Sequence, residues 1–349
     1  MSLDILSDVL RSVRLRGALY YHVRGSREWV AEAPPARAIA SAVLPASEHV
    51  MEYHVVLSGS CWAAIVGEAP VRLEAGDIVL FPHGDPHVVS SAPGMRAPPD
   101  VAGYFERKGQ RLPFSVRLDM SEVQPGRLSD DPRDTTLVCG FLGCDLRPFN
   151  PVVASLPRLL HLRDESGQDW TVQCMRRAAA ESLDRRPGGD AVLERLSEMM
   201  FIDTVRRYLA TLPEDSRGWL AGLRDRYVGR ALTLMHDDPG RAWTVQELGR
   251  AIGLSRSALH ERFADMVGQT PMQYLANWRM QAAAALLRDT ASTVASVAQS
   301  IGYDSEAAFA RAFKRSTGKP PAVWRREVRL QGISPRSPDP RAAAPPAES

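Results

Sequence analysis

A repeat of about fifty residues near the C-terminus constrains this chain more than any other feature. VQELGRAIGLSRSALHERFADMVGQTPMQYL, from Val245, is answered by VASVAQSIGYDSEAAFARAFKRSTGKPPAVWR, from Val294. Val245, Leu248 and Gly253 match Val294, Val297 and Gly302 at an offset of 49, whereas Ser255, Phe263, Gly268 and Pro271 match Ser305, Phe313, Gly318 and Pro321 at an offset of 50. The inserted residue therefore falls in a turn, between a glycine and a serine. Each copy reads as a short helix, a glycine-bearing turn and a second helix, the pattern of a helix-turn-helix whose second helix can enter a DNA major groove.

Local chemistry supports that reading in both copies. Thr244 and Glu247 form a Thr-x-x-Glu capping box for the leading helix, Gly253 suits a turn that needs positive φ, and Ser255 caps the second helix. Leu259 and Phe263, four apart, share an inward face and leave Arg256, Ser257, His260 and Glu261 pointing out. In the second copy Ser305 is the cap, Phe309 and Phe313 form the buried stripe, and Glu306, Ala307, Ala310, Arg311 and Lys314 point out. Between the copies, TPMQYLANWRMQAAAALLRDT starts with Thr270 as cap and Pro271 at the first helical position, then runs as one long helix that sets their spacing. A single such pair could belong to a bundle that never touches DNA; two matched copies on a basic segment point away from that. Residues 214–330 hold 17 Lys/Arg against 12 Asp/Glu, a net +5, while residues 1–213 hold 24 against 27, a net −3. A basic module beside a mildly acidic one suits a polyanionic partner.

Residues 243–326 resemble the DNA-binding domain of AraC-type transcription regulators, through IGLSRSALHERF with GQTPMQYL, WRMQAAAALL, and IGYDSEAAFARAFKRSTGKPP. The resemblance implies two helix-turn-helix units joined by a rigid helix, reading successive major grooves on one face of double-stranded DNA, with RNA polymerase as a further partner. Carried over by position, Ser257, His260 and Glu261 are base-facing in the first recognition helix, and Glu306, Ala307 and Arg311 in the second. Arg256, Lys314 and Arg315 complete the candidate DNA-binding set, the last two toward phosphate. Glu261 stands where many relatives carry arginine, and a carboxylate prefers the cytosine amino group. Pro320 replaces the usual serine or threonine cap, so the last helix is expected to fray.

The front half reads differently. Residues 29–145 are short strands between turn signals, including HVMEYHVVLSGSCWAAIVGEAPVRLEAGDIVLFP, and predict a β-barrel or sandwich. Glu52 and His54, two apart on one strand, share a face. Gly76-x5-Pro82-x-Gly84-x2-His87 resembles the second motif of cupin barrels, and Glu52-x6-Gly59 the end of the first; in such a motif the Pro-Gly turn aims His87 inward. Glu52, His54 and His87 are therefore candidate effector-pocket residues and candidate ligands for a divalent metal, with His49 a spare. The first motif lacks the family's His-x-His pair, and Ser90 and Ser91 stand where many cupins carry Asn. Three readings stay open: a metal-free effector pocket, a metal-containing sensor, and purely structural histidines. His83 and His22 read as ordinary hydrogen-bonded residues.

Together with Cys61-Trp62 after Gly59, GDIVLFP and LVCGFL, the front half resembles the cupin-type sensors of AraC regulators. The expected fold is α+β, a cupin-like domain followed by an all-α domain. The expected boundaries are a sensor over 1–150, a helical connector over 151–213, the double helix-turn-helix over 214–330, and a disordered tail over 331–349. In the connector, Val192, Leu196, Met199, Met200, Val205 and Leu209 fall near one stripe, available for packing or for a homodimer. The expected function is sequence-specific transcription regulation controlled by an unidentified small-molecule effector. A metal-dependent cupin enzyme is the rival. A redox switch through Cys61, Cys139 or Cys144 is a third reading, which needs an exposed thiolate of lowered pKa. No apolar run approaches the roughly 20 residues that span a bilayer, and MSLDILSDVLRSVRLRG lacks the features of a signal peptide, so the cytoplasm is the expected compartment. Four scattered cysteines fit a reducing compartment.

Overall fold

A computed structural model describes residues 4–108, 110, 112–120, 122–125, 134–164, 170–184 and 187–332. The front half comprises α1 (Ile5–Ser12), β1 (Arg16–Ala33), α2 (Ala36–Val43), β2 (His49–Ser58), β3 (Ser60–Ile65), β4 (Val71–Glu74), β5 (Ile78–Phe81), β6 (His87–Ser90), α3 (Val101–Glu106), β7 (Phe114–Met120), β8 (Glu122–Pro125), β9 (Thr135–Cys144), α4 (Pro151–Ser155) and β10 (Leu160–Leu162). The strands form one curled sheet in the order β10-β5-β2-β9-β1-β6-β3-β4, with β7 on β1 and β8 on β7. Every pairing is antiparallel except β1 with β7.

The 18-residue β1 runs through the middle of the sheet and lets it curl. Its first part pairs with β9 and β7, its last part with β6, and its register shifts between Ser26 and Trp29. Arg27 there takes φ 56°, a left-handed conformation that turns the strand sharply. Inside the curl lie Val23, Trp29, Val56, Ala63, Leu73, Val79, Phe81, Val89 and Leu137. On the outer face α5 (Trp170–Asp184) and α6 (Gly189–Thr211) cover Leu19, Tyr53, Val55 and Val138. Gly17 permits that closeness: a Cβ there would lie 2.5 Å from Ser197 Cβ.

The remaining helices are α7 (Trp219–Arg224), α8 (Arg226–Asp237), α9 (Val245–Ile252), α10 (Arg256–Val267), α11 (Pro271–Asp289), α12 (Val294–Ser300), α13 (Glu306–Thr317) and α14 (Pro321–Gly332). The first repeat buries Leu248, Leu259 and Phe263 against Tyr274, whose hydroxyl accepts from Trp219 Nε1 at 2.8 Å. The second buries Val297, Phe309 and Phe313 against Leu287 and Trp324 in a separate core.

Two expectations are corrected. The last helix is not frayed at its start: α14 runs on from Pro321, with Trp324 N–H donating to the Pro320 carbonyl at 2.9 Å. The connector residues do not share one face. Met200 and Val205 are buried with Leu193 and Phe201, whereas Val192 and Met199, seven apart, are each 45% exposed. Finally, the N-terminal segment, read above only as lacking a signal peptide, holds α1, an amphipathic helix wedged between the two halves. Val9 is fully buried, α1 packs on α4, α8 and α11, and the Ser12 carbonyl accepts from Gln281 Nε2 at 2.9 Å. The expected disordered tail falls almost wholly on 333–349, outside the described residues.

Candidate functional site

The two repeats fold by the same device. In the first, Gly253 takes φ 81° and Leu254 N–H donates to the Gly249 carbonyl at 2.9 Å; in the second, Gly302 takes φ 81° and Tyr303 N–H donates to the Ala298 carbonyl at 2.9 Å. Both bonds keep the offset of 49, so the extra residue, Asp304, enters after the turn and before the cap. Ser255 Oγ then accepts from Ala258 N–H, and Ser305 Oγ from Ala308 N–H, at 3.2 Å each. These caps satisfy amides that open α10 and α13 and fix where each helix starts. Gly268 and Gly318 stop them in the left-handed conformation. Between the units, α11 opens with the reciprocal Thr270–Gln273 capping box and Pro271; its 19 residues span roughly 28 Å.

All nine candidate DNA-binding residues are exposed: Arg256, Ser257, His260 and Glu261 on α10, and Glu306, Ala307, Arg311, Lys314 and Arg315 on α13. Among the described residues no ion pair engages Arg256, Arg311, Lys314 or Arg315. Arg262 contrasts with them. It is clamped on Asp225, the cap of α8, with Nη2 to Oδ2 at 2.5 Å, so it holds α10 against α8.

A second site lies within the barrel. Glu52 and His54 project from the same face of β2, and His87 opens β6 after the Pro82–Pro86 turn. The side chains are 4%, 3% and 1% exposed, and one donor atom from each lies within 4.8 Å of the others. His54 Nε2 sits 2.9 Å from His87 Nε2, and Glu52 Oε2 3.8 Å from His87 Nε2. The His87 ring stacks on Phe81 with centroids 3.7 Å apart, and its Nδ1 donates to the Asp85 carbonyl at 3.0 Å. Burial pushes the Glu52 carboxyl up to about 8 and His87 down to about 4; burial, then the neighbouring His87, holds His54 well below the usual imidazole range. All three shifts favour the uncharged forms, a protonated carboxyl and neutral imidazoles. Glu52 Oε2 and His54 Nδ1 are buried with no hydrogen-bond partner among the described residues.

These side chains line a cavity of about 120 Å³, shared with Tyr21, Tyr104, Arg107, Leu137 and Cys139. Arg107 donates to the Tyr21 hydroxyl and to Asp100. Sequence reasoning missed Tyr21, Tyr104 and Arg107. Tyr21 carries a readable signal, since it alternates with Val23 along β1; Tyr104 and Arg107 come from α3 and its end, with no periodic mark. Three other histidines lie apart from the trio: His49 Nε2 bonds the Pro82 carbonyl and His83 Nε2 the Leu156 carbonyl, whereas His22, expected to be hydrogen-bonded, is buried with neither ring nitrogen paired among the described residues. Cys61, Cys139 and Cys144 are buried free thiols, and burial pushes Cys61 and Cys144 up to about 12. That environment opposes the thiolate a redox switch requires.

Comparison with known proteins gives matches over nearly the whole chain. Residues 4–210 match a family model described as Cupin, and residues 248–327 one described as Helix-turn-helix domain. An AraC-like transcription regulator of Streptomyces lividans is 32% identical, over 93% of this chain and 98% of its own length. A second, from Streptomyces antibioticus, is 30% identical over 93% and 99%. Among solved structures, the DNA-binding domain of AdpA, a global transcriptional factor in complex with target DNA, is 26% identical; the match covers 31% of this chain and 96% of that one, with a TM-score of 0.29.

Proposed function

The chain belongs to the AraC-like transcription regulators, a DNA-binding family, and from that membership we propose that α10 and α13 read DNA under the control of a small molecule received in the barrel. The rival reading as a metal-dependent cupin enzyme gives way, because the relatives that match along almost the whole chain are transcription regulators. In this reading Ser257, His260 and Glu261 on α10, and Glu306, Ala307 and Arg311 on α13, face bases, Lys314 and Arg315 meet phosphate, and Arg256 completes the DNA-facing set.

One observation carries effector control: Glu52 Oε2 and His54 Nδ1, two buried polar atoms without partners among the described residues, belong to side chains that line a cavity. An orphaned polar atom in an apolar interior costs about 1–3 kcal/mol, which a bound molecule can recover. Coupling to DNA requires that the effector bind one arrangement of the two halves more tightly than another. The test is DNA binding by a folded His87→Ala protein alongside the parent, with the regulated promoter as reporter. Altered induction supports the reading; unchanged induction makes His87 structural.

A second reading, a divalent metal, is favoured by the three converging donors. Two imidazole nitrogens on a tetrahedral zinc stand roughly 3.3 Å apart, so the 2.9 Å pair would open only slightly. The Asp85 carbonyl already fixes the His87 tautomer that leaves Nε2 free to ligate. The residues therefore fit such an ion, which Glu52, His54 and His87 would hold and which would supply Lewis acidity there. Stoichiometric metal in protein purified without added metal, lost in His54→Leu, distinguishes this reading. Val192 and Met199, exposed on α6, and Trp170, exposed at the start of α5, support a homodimer through the connector. RNA polymerase is the partner that transcription regulation requires, and the cytoplasm is the compartment where it would be met. Among the described residues no helix is long and apolar enough to cross a membrane.

A further inference from the structure

The hydrogen-bond roles in the barrel restrict what can enter it. A carbonyl oxygen only accepts, so the contact from His87 Nδ1 to the Asp85 carbonyl places the His87 proton on Nδ1. Its Nε2 is then a bare lone pair. The 2.9 Å contact between the two Nε2 atoms consequently has His54 as donor, which leaves His54 Nδ1 as the acceptor lone pair. That atom is buried and has no partner among the described residues. His54 lines the cavity, so a group that enters and reaches this atom must be a donor.

Charge and size narrow the class further. Among the described residues the only cationic side chain lining the cavity is Arg107, and it is already engaged by Asp100 and the Tyr21 hydroxyl. A carboxylate carried to the inner end would bring an unpaired charge beside Glu52 into an apolar surrounding, at a cost that excludes it. The lining also holds the carboxylates of Glu32 and Asp100, engaged by Arg96 and Arg107, and beside them the apolar Val23, Val89, Val116, Leu118 and Leu137. The volume, about 120 Å³, compares with the cavity of roughly 150 Å³ in another protein that holds one benzene.

We propose that the barrel takes a small, uncharged, mainly apolar molecule of about six to nine non-hydrogen atoms that carries one hydroxyl or N–H group donating to His54 Nδ1, the class of simple phenols. The inference rests on the barrel's being the receiving site, and it specifies the chemistry of what is received. Tyr21 and Tyr104 supply aromatic edges and faces for such a ring.

The test is calorimetric titration of the full chain, treated with chelator, with phenol, toluene, benzoate and zinc chloride as separate probes. Phenol is expected to bind about tenfold or more tightly than toluene, and benzoate about a hundredfold less tightly than phenol. In His54→Leu the order should cross over: phenol falls to the level of toluene, while toluene binds at least as well as before, which also shows that the barrel is folded. Should that variant not fold, the ranking of the three organic probes on the parent decides. Benzoate or toluene equal to phenol overturns the proposal. Tight zinc with no organic binding overturns it too, in favour of the metal reading. Absence of binding by all four probes overturns the class. The DNA affinity of the full chain with and without saturating phenol separates the two levels: phenol binding that leaves DNA affinity unchanged keeps the ligand class and sinks effector control.

Discussion

Arg311 and Lys314, three apart on α13, are both exposed and without ion pairs among the described residues, yet their roles should differ. An arginine at a base-facing position can bind guanine O6 and N7 together, whereas Lys314 is placed for phosphate. Arg311→Ala should cost about 1–3 kcal/mol and relax preference at one base pair, while Lys314→Ala should weaken all sequences alike and lower the salt slope by about one unit. Titrations against site variants at several salt concentrations check this; equal weakening of every variant by Arg311→Ala would remove its base-reading role. In the barrel, Glu52 yields a pH prediction. Its carboxyl is raised from 4.5 to about 8, so the folded state holds a proton that the unfolded state has lost between those values. Stability from this group is present below about 4.5 and falls as pH rises toward 8. Glu52→Gln, which keeps a neutral side chain, should therefore be more stable than the parent at pH 8, by up to a few kcal/mol, and close to it near pH 4.5. Denaturant melts at the two pH values measure the difference; a gap independent of pH would show that Glu52 is not held neutral.

At the scale of elements, what was legible in the sequence is what is encoded locally. The caps at Thr244, Ser255, Thr270 and Ser305, the positive-φ glycines and the aromatic stripes all act within a few residues, so both helix-turn-helix units could be read before any contact was known. Glu52 and His54 were legible for the same reason, since strand alternation puts them on one face, and His87 through its Pro-Gly turn. Tyr104 and Arg107 were not, because α3 reaches the cavity only through the sheet's curvature. The α6 stripe misled because the helix is apolar on more than one side. Gly302 tests the turn directly. It takes φ 81°, and a Cβ there would lie 2.3 Å from the Gly240 carbonyl oxygen. Gly302→Ala should destabilise the second unit by about 2 kcal/mol or more, whereas Gly253→Ala, with open space around the Cβ position, should cost only the backbone strain of about 1 kcal/mol. Thermal melts of the two variants settle the order; equal losses would mean that crowding at Gly302 is relieved by small shifts.

At the scale of the molecule, the two halves are joined by more than the segment between α6 and α7. One apolar core runs from Met51, Tyr53 and Val138 under α6, through Val9 on α1, to Leu232, Tyr274 and Trp278. Gln281 lies on that path at 2% exposure, donating to the Ser12 carbonyl and accepting from Phe149 N–H at 3.0 Å. Its partner in α1 is 269 residues away, which is why no sequence pattern announced the clasp. Gln281→Leu should strand Phe149 N–H, cost about 1–3 kcal/mol, and raise proteolysis between the halves more than within either. Uniform protection from cleavage would argue that the apolar core alone holds them. The account's central claim is that a single chain reads DNA with both repeats, and hydroxyl-radical footprinting of the full protein on a selected site tests it most directly. Two protected major-groove segments about one helical turn apart, roughly 34 Å, on the same face of the duplex are predicted. Protection confined to one groove, with the second unit's face left open, would contradict it.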